Sequence, residues 1–135
     1  MDIEKAKIPP NSIDSEQSVL GGLLLHNDAW DNVADILTES DFYSSAHQII
    51  FNAIVLMLEH GKPADILTVK EQVKKTGDEE TIGGFQYLAN IAENTPSISN
   101  IEAYAKHVRE LSVYRQLIAV SQDIANSAYN PKNIE

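Results

Sequence analysis

The sequence has 135 residues, of which 43% are apolar, and this suffices for one globular domain with its own core. It contains no cysteine, so disulfides and thiolate metal sites are excluded, as is typical of cytoplasmic proteins. No apolar run reaches the roughly 18 residues that a membrane-spanning helix needs. The N-terminus also lacks the apolar core of a signal peptide.

The net charge of the chain restricts the kinds of macromolecule that it is expected to bind. Twenty acidic residues against ten basic ones give a net charge of −10. Glu16–Asp41 contains six acidic residues and no Lys or Arg, and a second acidic region comprises Asp78, Glu79, Glu80 and Glu93. Because DNA binding depends on cations that displace counterions from phosphates, this charge indicates protein partners. The alternative is an acidic surface that only aids solubility.

The first predicted helix follows an N-terminal segment, residues 1–8, that has no periodic pattern and is expected to be mobile. Ser12 is a candidate N-cap, and Asp14 and Glu16 lie in the first turn, where carboxylates favour the positive end of the helix dipole. The apolar stripe of this helix consists of Val19, Leu20, Leu23 and Leu24. Gly21-Gly22 within the stripe costs about 1 kcal/mol per glycine relative to Ala, which predicts close approach of another helix.

Two more helices are predicted before Gly61. Asn27 or Asp28 opens the second helix, whose expected buried face is Trp30, Val33, Ala34 and Leu37. Ser44 or Ser45 starts the third helix, and Gly61 ends it. From Ala46 onward, its apolar residues recur with the helical period, at Ile49, Ile50, Ala53, Ile54, Met57 and Leu58.

Two capping boxes are predicted in the second half of the chain. Thr68–Glu71 would open a short fourth helix that Gly77 ends, and Ser99–Glu102 would open the longest helix. A fifth helix lies between them and stops before Pro96. Its expected buried residues are Phe85, Leu88, Ala89 and Ile91.

The last helix is predicted to run to about Tyr129, a length of roughly 45 Å. Its first half has one narrow apolar stripe, formed by Ile101, Tyr104, Ala105, Val108 and Leu111. Beyond Leu111 the apolar residues spread around the helix, at Tyr114, Leu117, Ile118, Val120, Ile124 and Ala125. A helix that becomes apolar on two sides needs a second partner, which predicts a projecting arm. The alternative is a single wide face against the core.

No pattern of catalytic or ligand-binding residues stands out. Gly61-Lys62-Pro63 lacks the glycine-rich loop that cradles phosphates. The four histidines, at positions 26, 47, 60 and 107, have no metal-ligand spacing, and His47 is expected to be a satisfied, partly buried imidazole. Asp28, Asp31 and Asp35 recur at helical spacing and are interpreted as a solvated face instead of a cation site. We therefore expect no catalytic residue, no cofactor and no metal.

The basic residues do not form a stripe that could follow a phosphate backbone. Those near the C-terminus, Lys106, Arg109, Arg115 and Lys132, are interleaved with Glu102, Glu110 and Asp123. This pattern is typical of a solvated or salt-bridged surface. Lys70, Lys74 and Lys75 form the one local cluster that could touch a nucleic-acid backbone weakly.

Three segments carry a resemblance to a known family. They are PPNSIDSEQSVLGGLL at Pro9–Leu24, DFYSSAHQIIF at Asp41–Phe51 and GGFQYLANIAENTP at Gly83–Pro96. In this order and spacing they resemble the N-terminal domain of the DnaB-type bacterial replicative DNA helicases. The resemblance extends over about Pro9 to Asn130.

The resemblance implies an all-α fold with two parts. A compact head of about five helices would occupy residues 9–100, and the long helix at 101–130 would be the first arm of a helical hairpin. Residues 131–135 would begin the turn. The returning arm and the ATPase motor domain are absent from the sequence, so the chain is expected to be a truncated piece of a longer protein.

The resemblance also implies a non-catalytic role in DNA replication. In the family this domain forms the collar of a hexameric ring, in which domains pair to give a trimer of dimers. It binds the C-terminal domain of primase and helps the ring respond to a helicase loader. ATP and Mg²⁺ belong to the motor domain, and neither tight DNA binding nor membrane binding is implied. The alternatives are a stand-alone primosome adaptor without a motor, a small DNA-binding module and an unrecognised hydrolase.

Contacts with other subunits or with primase are expected on the second half of the long helix. The residues that match the family there are Tyr114, Leu117, Ile118 and Ile124, with Asp14 and Tyr87 as second choices. Ordinary core packing is the alternative for each apolar member of this set. Trp30, Phe42, Phe51 and Ile54 are assigned to the core.

Overall fold

The computed structural model describes residues 8–130, which contain five α-helices and no strand. The helices are α1 (Ile13–Leu25), α2 (Ser45–Glu59), α3 (Ile66–Lys75), α4 (Gly84–Glu93) and α5 (Ile101–Tyr129). Short 3-10 segments occur at Asn27–Asn32, Glu39–Asp41 and Ile98–Asn100. The all-α prediction with a long last helix is confirmed. Except for Ile8, the mobile segment predicted at 1–8 lies outside the described residues, as does the turn predicted at 131–135.

Local signals place the start of α1 and both ends of α2 as predicted. The Ser12 hydroxyl accepts a hydrogen bond from the amide of Ser15 at 3.2 Å, which caps α1. Ser44 caps α2 in the same way, by accepting from the amide of His47 at 3.3 Å. Gly61 follows the end of α2 with φ of 69°, a conformation that favours glycine.

The glycine pair of α1 lies where two other helices contact its backbone. A Cβ atom on Gly21 would be 1.6 Å from Oγ1 of Thr95 and 2.9 Å from the carbonyl oxygen of Ile91 at the end of α4. A Cβ atom on Gly22 would be 2.8 Å from Cδ1 of Ile101, the first residue of α5. The predicted close approach is therefore confirmed, and α1 is the central helix of the bundle.

One apolar core joins all five helices. Its fully buried residues include Leu20, Leu23, Ile50, Ile54, Val69, Leu88 and Ala105. Phe42, Phe51 and Ile54 are buried as predicted. Trp30 is only partly buried and packs its edge against Phe51, with ring centroids 5.9 Å apart.

The α-helix predicted after Asn27 is wrong, because Asn27–Asn32 forms a 3-10 helix followed by turns. The Asn27 side chain donates to the carbonyl oxygens of Leu23 and Ala64 and accepts from the amide of Ala64. These bonds fix the segment to the loop between α2 and α3, in competition with regular helical bonding. Of the predicted buried face, Val33 and Leu37 are buried and Ala34 is exposed.

The capping box predicted at Thr68–Glu71 is also wrong, because α3 begins one turn earlier. Asp65 is the N-cap, and its side chain accepts from the amide of Thr68 at 2.9 Å. The Thr68 hydroxyl accepts from the amide of Asp65 at 2.8 Å in return. A stronger capping residue three positions upstream thus makes Thr68 the third helical residue.

The capping box predicted at Ser99–Glu102 does not form. Helix α5 begins after the 3-10 turn with Asn100 at the N-cap position, and no side chain caps it. The Ser99 hydroxyl is instead hydrogen-bonded to the Ser97 hydroxyl, at 2.8 Å.

One residue of the predicted buried face of α4 lies at the surface. Leu88 and Ile91 are buried, whereas Phe85 is 46% exposed. The ammonium group of Lys70 on α3 lies 5.6 Å from the centre of the Phe85 ring, so a cation covers part of this aromatic side chain.

Candidate protein-interaction surface

Helix α5 consists of two segments with different surroundings. In the proximal segment, residues 101–112, the side chains of Ile101, Ala105 and Val108 belong to the core of the head. Ser112 is the last buried residue of the helix. The proximal segment therefore anchors α5 to the head.

Asp41 carries the polar part of this anchor. Its Oδ1 atom accepts from the guanidinium of Arg109 at 2.7 Å and from the hydroxyl of Ser112 at 2.8 Å. Its Oδ2 atom accepts from the amide of Thr38 at 2.8 Å. One carboxylate thus ties the 3-10 segment Glu39–Asp41 to α5.

The environment of Asp41 favours its charged form. Burial by itself would raise the pKa of this carboxyl. The Thr38 amide, the Ser112 hydroxyl and the Arg109 guanidinium outweigh burial and hold the pKa below its ordinary value of 3.8. Asp41 is therefore a carboxylate at neutral pH and pairs with a cation, as a buried charge must.

Arg115 makes the last polar attachment of α5 to the head. Its guanidinium donates to the carbonyl oxygens of Pro10 and Asp41, at 2.8 and 2.7 Å. It also lies 5.4 Å from the centre of the Tyr43 ring. The sequence predicted a solvated or salt-bridged surface for the basic residues of α5, and Arg115 differs from this because its guanidinium is bound to backbone carbonyls within the domain.

The distal segment of α5, residues 113–129, has no buried residue. Among its exposed apolar side chains are the four predicted contact residues: Tyr114 (48% exposed), Leu117 (57%), Ile118 (43%) and Ile124 (66%). We call these four residues the apolar stripe. At 3.6 residues per turn they lie roughly on the side of the helix opposite the buried residues of the proximal segment. The alternative of a single wide core face is therefore wrong.

The two second-choice residues lie in the head. Asp14 is exposed in the first turn of α1. Tyr87 on α4 is partly buried, and its hydroxyl lies 2.6 Å from Nε2 of His47 and accepts from the side chain of Gln17 at 3.1 Å. The hydroxyl of Tyr87 is thus engaged within the head.

His47 and Glu16 complete this internal network. Nδ1 of His47 lies 2.7 Å from Oε1 of Glu16, and both side chains are buried. Glu16 also accepts from the amides of Tyr43 and Ser44, at 2.7 and 3.3 Å. His47 is satisfied as predicted and is more buried than predicted. The place of Glu16 in the first turn of α1 gave no sign of this role, because its partners lie 27 to 31 residues away.

The described residues contain neither a cluster of metal ligands nor a helix that could cross a membrane. Within residues 8–130, no three His, Asp or Glu side chains are grouped so that they could hold a metal ion. None of the helices in that range is both long and apolar enough to cross a bilayer.

Two curated relatives are longer proteins, and this chain is similar to part of each. A replicative DNA helicase DnaB from Pasteurella multocida is 44% identical over 133 residues, which are 98% of this chain and 28% of that protein. A replicative DNA helicase DnaC from Bacillus subtilis is 38% identical over 128 residues, 95% of this chain and 28% of that protein. The chain thus spans less than a third of the length of these relatives.

Solved structures agree in fold. The N-terminal domain of DnaB helicase from Mycobacterium tuberculosis superposes with a TM-score of 0.88 at 36% identity, covering 90% of this chain and 88% of that one. The corresponding domain from Helicobacter pylori gives a TM-score of 0.74 at 27% identity, covering 86% and 90%. The family model of the DnaB-like helicase N-terminal domain matches residues 8–110. With its fold and its relatives in agreement, this chain belongs to the family of DnaB-like helicase N-terminal domains.

Proposed function

We propose that this chain is the non-catalytic collar domain of a hexameric replicative helicase in the bacterial cytoplasm. Its role is to pair with other copies within the ring, to recruit the C-terminal domain of primase and to respond to a helicase loader. The proposal assigns no cofactor to these residues. ATP and Mg²⁺ would act in a motor domain on polypeptide outside this sequence.

The apolar stripe is the observation that carries this proposal. It places four large apolar side chains on one side of a helix that leaves the head, and each is at least 43% exposed. A contiguous exposed apolar surface on a charged protein is typical of a protein interface. The structure of the Helicobacter pylori relative is described together with its interactions with primase, which supports primase as one occupant here.

The contacts of the basic residues on α5 support a protein partner over DNA. Lys106 pairs with Glu102 at 3.5 Å and Arg109 pairs with Asp41 at 2.7 Å. Arg115 is bound to backbone carbonyls. These cations of α5 are therefore already used within the domain, in a chain of net charge −10. Lys132, the fourth cation of the predicted set, lies outside the described residues.

Light scattering of the complete helicase, with and without the primase C-terminal domain, tests the proposal. A double variant, Leu117→Glu with Ile124→Glu, places two charges in the apolar stripe. We expect it to reduce the mass of the ring or to weaken primase binding at least tenfold, because burying an unpaired charge in an interface is costly.

A matched control separates the stripe from a general effect of charge. Ala119 and Asn126 are exposed and lie on the opposite side of the distal segment. The double variant Ala119→Glu with Asn126→Glu adds the same charge and should retain both ring mass and primase binding. Equal ring mass and equal primase binding in the two double variants would contradict the assignment of the apolar stripe as a protein interface.

A further inference from the structure

A small pocket in the head combines an aromatic wall with an acidic rim. Its volume is about 280 Å³, and its lining includes Trp30, Leu37, Glu39, Phe51, Val55 and Glu59. The pocket lies between α2 and the segment that leads from Asn27 to Asp41. None of its lining residues belongs to α5, so it is separate from the apolar stripe.

The pocket lining combines apolar side chains with the neutral polar groups of Thr38 and Asn52. Phe51 and Leu37 are buried, and Trp30 and Val55 are partly buried. The Trp30 ring is held in place by its edge contact with Phe51. An indole that is fixed but partly open to solvent is the preferred aromatic partner of a cation.

The rim of the pocket carries negative charge that no cation of the described residues neutralises. Glu39 and Glu59 are both exposed. Neither carboxylate forms an ion pair with any residue in the range 8–130. Along the chain, Glu16–Asp41 contains neither Lys nor Arg, and the two arginines that reach this stretch from α5, Arg109 and Arg115, are bound at Asp41. The complementary ligand is therefore a cation with an apolar stem.

We propose that this pocket binds an arginine side chain presented by a basic segment of a partner protein. Its volume is below the roughly 300–1,000 Å³ of pockets that hold drug-sized ligands, so one long side chain suits it. Guanidinium groups stack on indole rings and donate to carboxylates at the same time, which matches the wall and the rim together. Nucleic acid does not fit, because its phosphates would be repelled by the rim.

The single tryptophan of the chain, Trp30, reports binding directly. The test titrates the intact chain, in about 0.15 M salt to screen distant charges, with a blocked nine-residue peptide that has Leu-Arg-Leu at its centre. The matched probe is the same peptide with citrulline in place of arginine, which keeps the shape and removes the charge. We expect a saturable change in Trp30 emission with the arginine peptide and at least fivefold weaker binding of the citrulline peptide.

Two double variants test whether the rim carboxylates, Glu39 and Glu59, are responsible for binding the arginine peptide. Glu39→Gln with Glu59→Gln should weaken binding of the arginine peptide at least fivefold, since both carboxylates lose their charge. Glu71→Gln with Glu110→Gln changes the net charge equally at exposed positions elsewhere and should leave binding unchanged. The proposal is overturned if the arginine peptide gives no saturable signal, if citrulline binds as well, or if both double variants weaken binding to the same extent.

Discussion

The two segments of α5 show how one continuous helix can serve two purposes. The proximal segment turns Ile101, Ala105 and Val108 into the core of the head and ends at Ser112. The distal segment continues for 17 further residues, 113–129, without burying any of them. Most helical stability in proteins comes from packing of an apolar face, so the distal segment is the part that a partner can stabilise. Substitutions in the head, in the proximal attachment and in the distal segment should therefore differ in the size of their effects.

Truncation of a leucine to alanine should lower the free energy of unfolding far more in the core of the head than in the distal segment. Leu23 is fully buried in the head, so Leu23→Ala should lower the free energy of unfolding by about 2–5 kcal/mol. Leu117 is 57% exposed, so Leu117→Ala should change it by no more than about 0.5 kcal/mol. Urea denaturation followed by circular dichroism measures both. A large loss in the Leu117 variant would show that the distal segment is already packed.

Loss of the Glu16 charge should destabilise the buried network that Glu16 forms with His47. Glu16→Gln places an amide group opposite the Tyr43 and Ser44 amides and His47, and leaves at least one donor without an acceptor. We expect a loss of about 2–3 kcal/mol in thermal or urea unfolding. Asp14→Asn, an exposed change on the same helix, is the control and should be nearly neutral. Equal effects of the two changes would contradict the structural role of Glu16.

The close approach at Gly21 should make a normally favourable substitution destabilising. Gly21→Ala gains about 1 kcal/mol of helix propensity. Its methyl group would nevertheless lie 2.9 Å from the carbonyl oxygen of Ile91, and overpacking of this kind costs about 1–3 kcal/mol. The net change in melting temperature should therefore be downward. In Gly22→Ala the new methyl group would contact the end of the Ile101 side chain instead of backbone, so the melting temperature should fall less. A larger fall for Gly22→Ala than for Gly21→Ala would contradict the assigned packing.

The attachment of α5 at Asp41 should give a small, pH-dependent effect. Because the folded state lowers the pKa of Asp41, its contribution to stability is complete above the ordinary value of 3.8 and is lost as the pH falls through the lowered pKa. Ser112→Ala removes one donor and should cost about 1 kcal/mol at neutral pH. The difference from wild type should shrink as the pH falls from 3.8 through the lowered pKa of Asp41.

Urea denaturation at several pH values measures this effect. Ser121→Ala, at an exposed serine of the distal segment, is the control, and its difference from wild type should not change with pH. A gap between the Ser112 variant and wild type that stays constant in acid would contradict the role of Asp41.

The sequence predicted the parts of the fold that depend on local pattern. The caps at Ser12 and Ser44 are set by neighbours within three residues. The exposure of the apolar stripe followed from a change in apolar periodicity after Leu111. Local reasoning failed where two signals competed, as when Asp65 capped α3 in place of Thr68.

The polar attachments of the fold could not be predicted from local pattern. The Asp41 carboxylate meets Arg109 and Ser112 across 68 and 71 residues. Glu16 meets His47 across 31 residues. Nothing in the spacing of such residues distinguishes a buried pair from two solvated charges, because only the packing of the helices brings them together.

The length of the unsupported helix has a mechanical consequence. Seventeen residues at 1.5 Å each make the distal segment roughly 25 Å long, with Arg115 close to its base. A tilt of about 10° at that base would displace the far end by about 4 Å, or about three quarters of the pitch of one helical turn. The hydrogen bonds from Arg115 to Pro10 and Asp41 therefore restrain the orientation of the distal segment relative to the head. The strength of this restraint determines how precisely the far end of the helix is positioned.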